Sequence, residues 1–340
     1  MKLPSDPRHV TREATDLRNR GRLEEARNLL RKALDKWPAN MFFWNVLLSC
    51  CSRGPKEAER IFQEMEDQGV EPDGTSFGTL LNVYAEVGDA QGAEDVFRRM
   101  QETGIRPGVV SFSVLMKAYA RANAPEGAEK VLRRMRERGK SPDVTTYTTL
   151  LNAYAKTGQP DEAERLLDRM QREGITPNAV SFATLMDAYA NSGRAEGARR
   201  VLERMTGAGV SPTLTSYNIL VKAHVRADDL EGGQRVLEYM EEEGIAPLTT
   251  AFKTLVNGCI ERDAIERAEG LLARARDESL NVSERLLQKL EDRCEFEKQY
   301  AQVEKRLRQT IAEKSLMARI KDLVGHAVAP LKRLSPRAER

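Results

Sequence analysis

Apolar residues recur along this chain at helical spacing, in short blocks separated by polar breaks. In residues 144–178, Leu150, Leu151 and Tyr154 lie one turn apart and predict a first helix, helix A. After a break at Gly158, Ala163, Leu166, Leu167 and Met170 form the stripe of a second helix, helix B. Gly174 ends that helix, and Pro177, which has no N–H and a fixed φ, prevents its continuation. Neither helix can bury its stripe alone, so each pair must pack against the next.

The same pattern returns every 35 residues. Proline falls at Pro72, Pro107, Pro142, Pro177, Pro212 and Pro247, with glycine three residues earlier, from Gly69 to Gly244. Methionine keeps register from Met65 to Met240. The break after helix A is held by Gly88, Asn123, Gly158, Gly193, Asp228 and Asp263, residue types that tolerate the left-handed conformation. Early in helix B a small residue (Ala93, Ala128, Ala163, Ala198, Gly233, Ala268) permits close approach between helices. A fixed period of this length predicts an all-α solenoid of stacked helix-turn-helix repeats, with nearest-neighbour stability. Seven repeats span 41–283: the first, 41–73, is shortened near Gly54, and the last, 249–283, is degenerate. Residues 1–40 form an N-terminal segment in which 21–40 reads as a further helix B with a proline exit, capping the array.

Counting from residue 74 as the start of a repeat, positions 2, 5, 9 and 13 of helix A share one stripe opposite the apolar contacts. Its bases are Lys117, Arg121, Lys156, Lys222, Arg226 and Lys253, against the acids Glu86, Asp187 and Glu261. Residues 1–282 carry 40 bases and 43 acids, so a net-positive stripe lies on a slightly negative body. That is an electrostatic footprint for an anionic strand. Small hydroxyl and amide side chains between the bases leave room for flat rings and supply donors and acceptors. A protein-binding groove is the rival reading of the same stripe. Helix B, with both signs of charge, reads as a solvated face.

Composition excludes several classes. No apolar run approaches the ~18 residues of a membrane span. The first 25 residues mix Asp6, Glu13 and Asp16 with bases, so neither a secretory signal nor a transit peptide is visible. Cys50, Cys51, Cys259 and Cys294 form no C-x-x-C pair, which points to a reducing compartment. The histidines His9, His224 and His326 are scattered; His224 and Cys259 fall in a column otherwise held by Tyr84, Tyr119, Tyr154 and Tyr189, and read as packing substitutes. There is no phosphate loop and no zinc-deaminase signature. No enzyme, metal or cofactor is expected.

These residues resemble the P class of the pentatricopeptide repeat family, with wording such as "TYTTLLNAYAKTG" and "EEEGIAPL" over 41–283. Residues 21–40 resemble a tetratricopeptide unit instead. The resemblance implies a right-handed α-α superhelix that binds single-stranded RNA, one base per repeat. It implies that position 5 and the last residue of a repeat contact a base edge, and that position 2 of neighbouring repeats sandwiches the ring. Carried over, Thr148 with Asn178 resembles the adenine pair, Ser113 with Asp143 the guanine pair, and Asn45 with Asp73 the uracil pair. Asn218 suggests a pyrimidine, although its partner Leu248 has no polar side chain. Val110, Thr145, Val180 and Thr215 are the sandwiching candidates, and the six bases of the stripe the phosphate-binding ones.

After the array, residues 283–340 hold 14 bases and 9 acids. Helices are expected over 284–325 and a basic tail over 326–340. The expected function is an organellar RNA-binding adaptor, in a mitochondrion or chloroplast, acting on messenger or ribosomal RNA without catalysis and without a membrane. The alternatives are a structural ribosomal RNA-binding component of an organellar ribosome, with protein partners on the C-terminal segment, and a protein-binding scaffold.

Overall fold

A computed structural model describes residues 6–51, 54–247, 249–277, 288–289 and 292–293. Among the described residues are sixteen α-helices and no strand. They follow one another as A–B pairs: α1 (Pro7–Asn19) and α2 (Leu23–Lys36), α3 (Met41–Ser49) and α4 (Pro55–Asp67), α5 (Gly74–Val87) and α6 (Ala90–Glu102), α7 (Val109–Arg121) and α8 (Pro125–Glu137). Then come α9 (Val144–Lys156) and α10 (Pro160–Arg172), α11 (Ala179–Asn191) and α12 (Ala195–Gly207), α13 (Leu214–Arg226) and α14 (Leu230–Glu242), α15 (Thr249–Glu261) and α16 (Ile265–Asp277). The chain divides into two compact units, Met1–Ser192 with Glu203–Ser211 and Gly193–Leu202 with Pro212–Arg340. In the first, α3, α5, α7, α9 and α11 stack side by side, and each B helix packs against its own A helix and the next. In the second, α15 packs on α13.

The N-terminal segment differs from the expected lone helix B. It is a full pair, because α1 precedes α2. The stripe of α1 is thin, with only Val10 and Ala14 buried, which is why apolar spacing does not betray it. The helices expected over 284–325 and the tail over 326–340 lie outside the described residues, apart from 288–289 and 292–293. There, Lys289 Nζ lies 3.0 Å from Asn257 Oδ1 and 3.6 Å from Glu261, and Arg293 pairs with Asp263.

The repeated columns are the core. Phe77, Phe112, Tyr147, Phe182 and Phe252 are buried, as are the methionines from Met65 to Met240. Phe62 meets Phe77 edge-on at 5.0 Å between centroids, and Phe97 meets Phe112 in the same way at 5.0 Å. The break after helix A is left-handed at Gly88, Gly158 and Gly193, and equally at Asn123 (φ 53), Asp228 (φ 63) and Asp263 (φ 59). An Asn or Asp bears that conformation because its short side chain can bond locally.

A polar ladder ties the repeats of the first unit together. Glu59 accepts from Tyr84 (3.0 Å) and Arg99 (2.9 Å), Glu94 from Tyr119 (3.1 Å) and Arg134 (2.6 Å), and Glu129 from Tyr154 (2.5 Å) and Arg169 (3.0 Å). Glu164 accepts from Tyr189 and lies 3.9 Å from Arg204. Each carboxylate belongs to the B helix of one repeat, and its partners to the A and B helices of the next. Burial, reinforced by Glu59, pushes the Tyr84 hydroxyl up to about 12, so it stays a donor.

The last residue of a repeat is the N-cap of the following A helix. Asp73, Asp143, Asn178 and Thr213 each accept from the backbone N–H three residues on, at the start of α5, α9, α11 and α13. This satisfies donors that a helix start leaves orphaned and accounts for Asp, Asn and Thr in that column; such a cap is worth roughly 0.5–2 kcal/mol.

Candidate nucleic-acid interface

Helical geometry separates adjacent residues by about 100°, so neighbours in sequence meet opposite environments. Position 3 of helix A is buried at Ser76, Ser111, Thr146, Ser181 and Ser216. Position 2 is exposed: Val110 at 74% and Val180 at 59% stand open despite being apolar. Phe42, at 71%, occupies the same position in the shortened first repeat. Sequence reasoning placed Asn45 at position 5 there but overlooked Phe42; the same register, counted back three residues, would have found it.

The candidates of the third and fourth A helices of the array converge. A groove of about 630 Å³ is lined by Lys117 and Arg121 of α7, Thr145, Thr148 and Lys156 of α9, and Asn178 and Val180 at the start of α11. All lie in the first unit.

Hydrogen bonds already made within the chain dictate what each pair can still offer. Thr148 Oγ1 donates its hydrogen to Val144 O (2.7 Å), and Ser113 Oγ donates to Val109 O (3.0 Å). Both hydroxyls are left as acceptors. Asn178 turns Oδ1 to the Ser181 N–H (3.0 Å), leaving its amide NH2 as a donor. Asp143 Oδ1 accepts from the Thr146 N–H (2.8 Å) and hydroxyl (2.7 Å), leaving the second carboxylate oxygen as an acceptor. Burial raises the Asp143 pKa, but the two Thr146 donors outweigh it and hold the carboxyl below its usual value. Asp73 is held low in the same way: burial opposes, and Ser76 with Thr75 prevails. Asn45 Oδ1 accepts from Ser76 Oγ (2.7 Å), which leaves its NH2 as the donor of the pair, beside the Asp73 carboxylate that it helps to hold low. The three pairs therefore present different faces: acceptor with donor at Thr148/Asn178, two acceptors at Ser113/Asp143, donor with acceptor at Asn45/Asp73.

The cations are not equivalent. Glu86 holds Lys117 and pairs with Arg121 at 2.9 Å, and the two cations depress its pKa, Lys117 foremost. An anion reaching either must compete with that carboxylate. Lys156 is exposed and meets no acidic partner among the described residues. Lys222 and Arg226 lie on α13 and Lys253 on α15, all in the second unit, with Thr215 exposed at the start of α13.

Asn218 departs from its expected role. Its Nδ2 donates to Thr250 Oγ1 (3.2 Å), a position-2 side chain, and its Oδ1 is buried without a partner. The physical reason is one residue on: Ala251 stands where the five preceding repeats carry a position-3 hydroxyl, so the carbonyl finds no donor there. Leu248, its partner in the expected pair, lies outside the described residues.

Among the described residues no three His, Cys, Asp or Glu side chains gather as a metal site would require, and no helix is long and apolar enough to cross a membrane.

Models of known families match most of the array. A pentatricopeptide repeat domain matches 60–122, the PPR repeat family matches 107–156, 142–191 and 177–226, and a PPR repeat matches 42–70 and 215–245. A tetratricopeptide repeat matches 7–32, over α1 and much of α2. No curated protein matches in sequence. Among solved structures, the pentatricopeptide repeat protein PPR10 from maize is similar, with a TM-score of 0.54 and 22% identity over 87% of this chain and 47% of that one. PPR10 in complex with an 18-nt psaJ RNA element gives 0.50 and 22% over 80% and 45%. The PPR domain of Arabidopsis thaliana protein-only RNase P 1, in complex with tRNA, gives 0.42 and 17% over 56% and 95%. The chain spans about half the length of the PPR10 chains, and at these identities the likeness to them is one of fold. With family matches running from residue 42 to 245, more than half of its length, the chain belongs to the pentatricopeptide repeat family.

Proposed function

We propose that this protein binds a short single-stranded RNA segment along the exposed face of its A helices, as a non-catalytic adaptor. The observation that carries the reading is the convergence, in one groove, of a base-complementary pair (Thr148 and Asn178), exposed position-2 side chains on either side (Thr145 and Val180) and an unneutralised cation (Lys156). Rings enter between position-2 side chains, which accept any base because every base has a flat face. Phosphates sit on Lys156 and compete with Glu86 for Lys117 and Arg121.

Selectivity follows from the remaining donors and acceptors. An acceptor beside a donor, as at Thr148/Asn178, complements the N6–H and N1 of adenine, a pattern that cytosine shares. Two acceptors, as at Ser113/Asp143, complement the N1–H and N2–H of guanine alone. A donor beside an acceptor, as at Asn45/Asp73, complements the O4 and N3–H of uracil, or the keto edge of guanine. The free groups are compatible with each assignment that the family resemblance implies, and at two of the three pockets with a second base as well. At roughly 1–3 kcal/mol per good base contact, three pockets give modest selectivity.

The finer reading is action in a mitochondrion or chloroplast, on RNA processing, stability or translation. A second reading, an RNA-binding component of an organellar ribosome, is favoured by the small number of complete pockets and by the excess of bases over acids, 14 to 9, in residues 283–340. Co-sedimentation with ribosomal particles in salt separates the two.

Selection from a random RNA pool tests the proposal. Thr148→Asn, which replaces an acceptor with a donor, redirects the base preferred at one nucleotide. Lys156→Ala weakens every sequence and lowers the salt dependence by about 0.7 of a log–log unit. Glu86→Gln, which frees Lys117 and Arg121, strengthens every sequence. Equal weakening of all sequences by Thr148→Asn and Lys156→Ala would refute base reading.

A further inference from the structure

The five position-3 hydroxyls, Ser76, Ser111, Thr146, Ser181 and Ser216, are the buried polar side chains of the described residues. A buried hydroxyl is unfavourable unless it is bonded, and a capping box asks only that it bond the N-cap. Ser76 and Ser181 reach further. Ser76 Oγ lies 2.7 Å from Asn45 Oδ1 and 3.0 Å from Asp73 Oδ1, between the two members of one pocket. Ser181 Oγ lies 3.2 Å from Thr148 Oγ1 and 3.2 Å from Asn178 Oδ1, between the two members of another. The repeat that lacks the hydroxyl provides the contrast. With Ala251 in that column, Asn218 Oδ1 is buried and unpaired, and its NH2 has turned to the position-2 Thr250.

We propose that the buried position-3 hydroxyl is a third member of the reading pocket: a positioning residue that belongs to the following repeat and fixes which atoms of the pair face the ligand. Ser76 holds the Asn45 carbonyl inward, so that its NH2 is the edge presented. Ser181 sits within reach of both Thr148 and Asn178, and its one hydroxyl hydrogen reinforces the backbone N–H that turns the Asn178 carbonyl inward. Ala251 leaves the Asn218 pocket without that register and therefore without preference. A pair matched by residue type alone is thus incomplete unless the next A helix supplies the hydroxyl. The inference rests on the RNA-binding reading of the groove.

The test uses the full chain in two measurements. In the first, NMR follows the Asn45 and Asn218 side-chain amides without RNA. Ser76→Ala disorders the Asn45 amide, Ser76→Thr, the residue found at 146, retains its order, and Ala251→Ser orders the Asn218 amide. In the second, binding is compared between oligonucleotides differing at one base. Ser76→Ala reduces the preference for uracil over cytosine at the Asn45 nucleotide roughly three- to tenfold, the range of one hydrogen bond, while binding to poly(U) keeps its salt dependence. Ala251→Ser creates a preference at the Asn218 nucleotide where none existed. An Asn45 amide equally ordered in Ser76→Ala would overturn the proposal whatever the RNA data show, as would an Asn218 amide unmoved by Ala251→Ser. Ordered amides behaving as described in a protein that binds no RNA would instead sink the function assigned to the groove.

Discussion

The two compact units keep the same apolar columns and differ in their polar ones. In the first, a Tyr–Glu–Arg set recurs four times between successive repeats. In the second, the same columns hold Arg199, His224 and Tyr239, so the carboxylate, the phenol and the guanidinium are each replaced. Arg199 pairs within its own helix with Glu196 (2.6 Å), His224 turns to Asp229 (2.9 Å), and Tyr239, half exposed, stacks near Tyr217. Reading pairs follow the same division. The three complete ones lie in the first unit, while the second holds Asn218 with an orphaned carbonyl. Burial of apolar stripes is thus enough to stack repeats, and the directional bonds are additional devices that fix how one repeat's side chains meet the next.

Four substitutions probe that contrast. The largest effect falls on what the units share. Phe112→Ala and Phe252→Ala each empty a fully packed site, and each lowers unfolding stability by about 3–5 kcal/mol in chemical denaturation. Similar losses in the two units are expected; a small loss for Phe252 would mean that the second unit is not packed on its columns. The ladder gives a smaller and one-sided effect. Glu129→Ala strands the Tyr154 hydroxyl and the Arg169 guanidinium and lowers stability by about 1 kcal/mol, since the carboxylate is a third exposed and screened. Arg199→Ala, at the column where the ladder has lapsed, changes stability by less than about 0.5 kcal/mol. Equal effects at the two positions would show that the ladder contributes nothing beyond an ordinary surface pair.

Much of this architecture is legible in the residues. The 35-residue register of proline, glycine and methionine gives the repeats, their turns and their core, because each column answers a single local requirement. Phe42 was within reach of the same count. The ladder is less accessible: its members lie 25 and 15 residues apart on three helices, and only their columns, Glu59 to Glu164 and Arg99 to Arg204, reveal a partnership. Helix α1 escapes because Val10 and Ala14 are too small a stripe. Hydrogen-bond direction is not written in residue type at all. Asn45 turns its carbonyl to Ser76, whereas Asn218 has Ala251 in the same column and spends its NH2 on Thr250.

If what the cap and the backbone leave unbonded decides which base a repeat accepts, Asp143→Asn should change that base and little else. Asparagine caps a helix as well as aspartate does, so α9 keeps its start while a free acceptor becomes a free donor. The Ser113 pocket of the Asp143→Asn protein then presents the same face as Thr148/Asn178. Competition among oligonucleotides differing at that nucleotide should move the preferred base from guanine to adenine, with overall affinity and melting temperature nearly unchanged. Retention of guanine, or an equal loss for all four bases, would mean that the free atom at position 143 does not select the base.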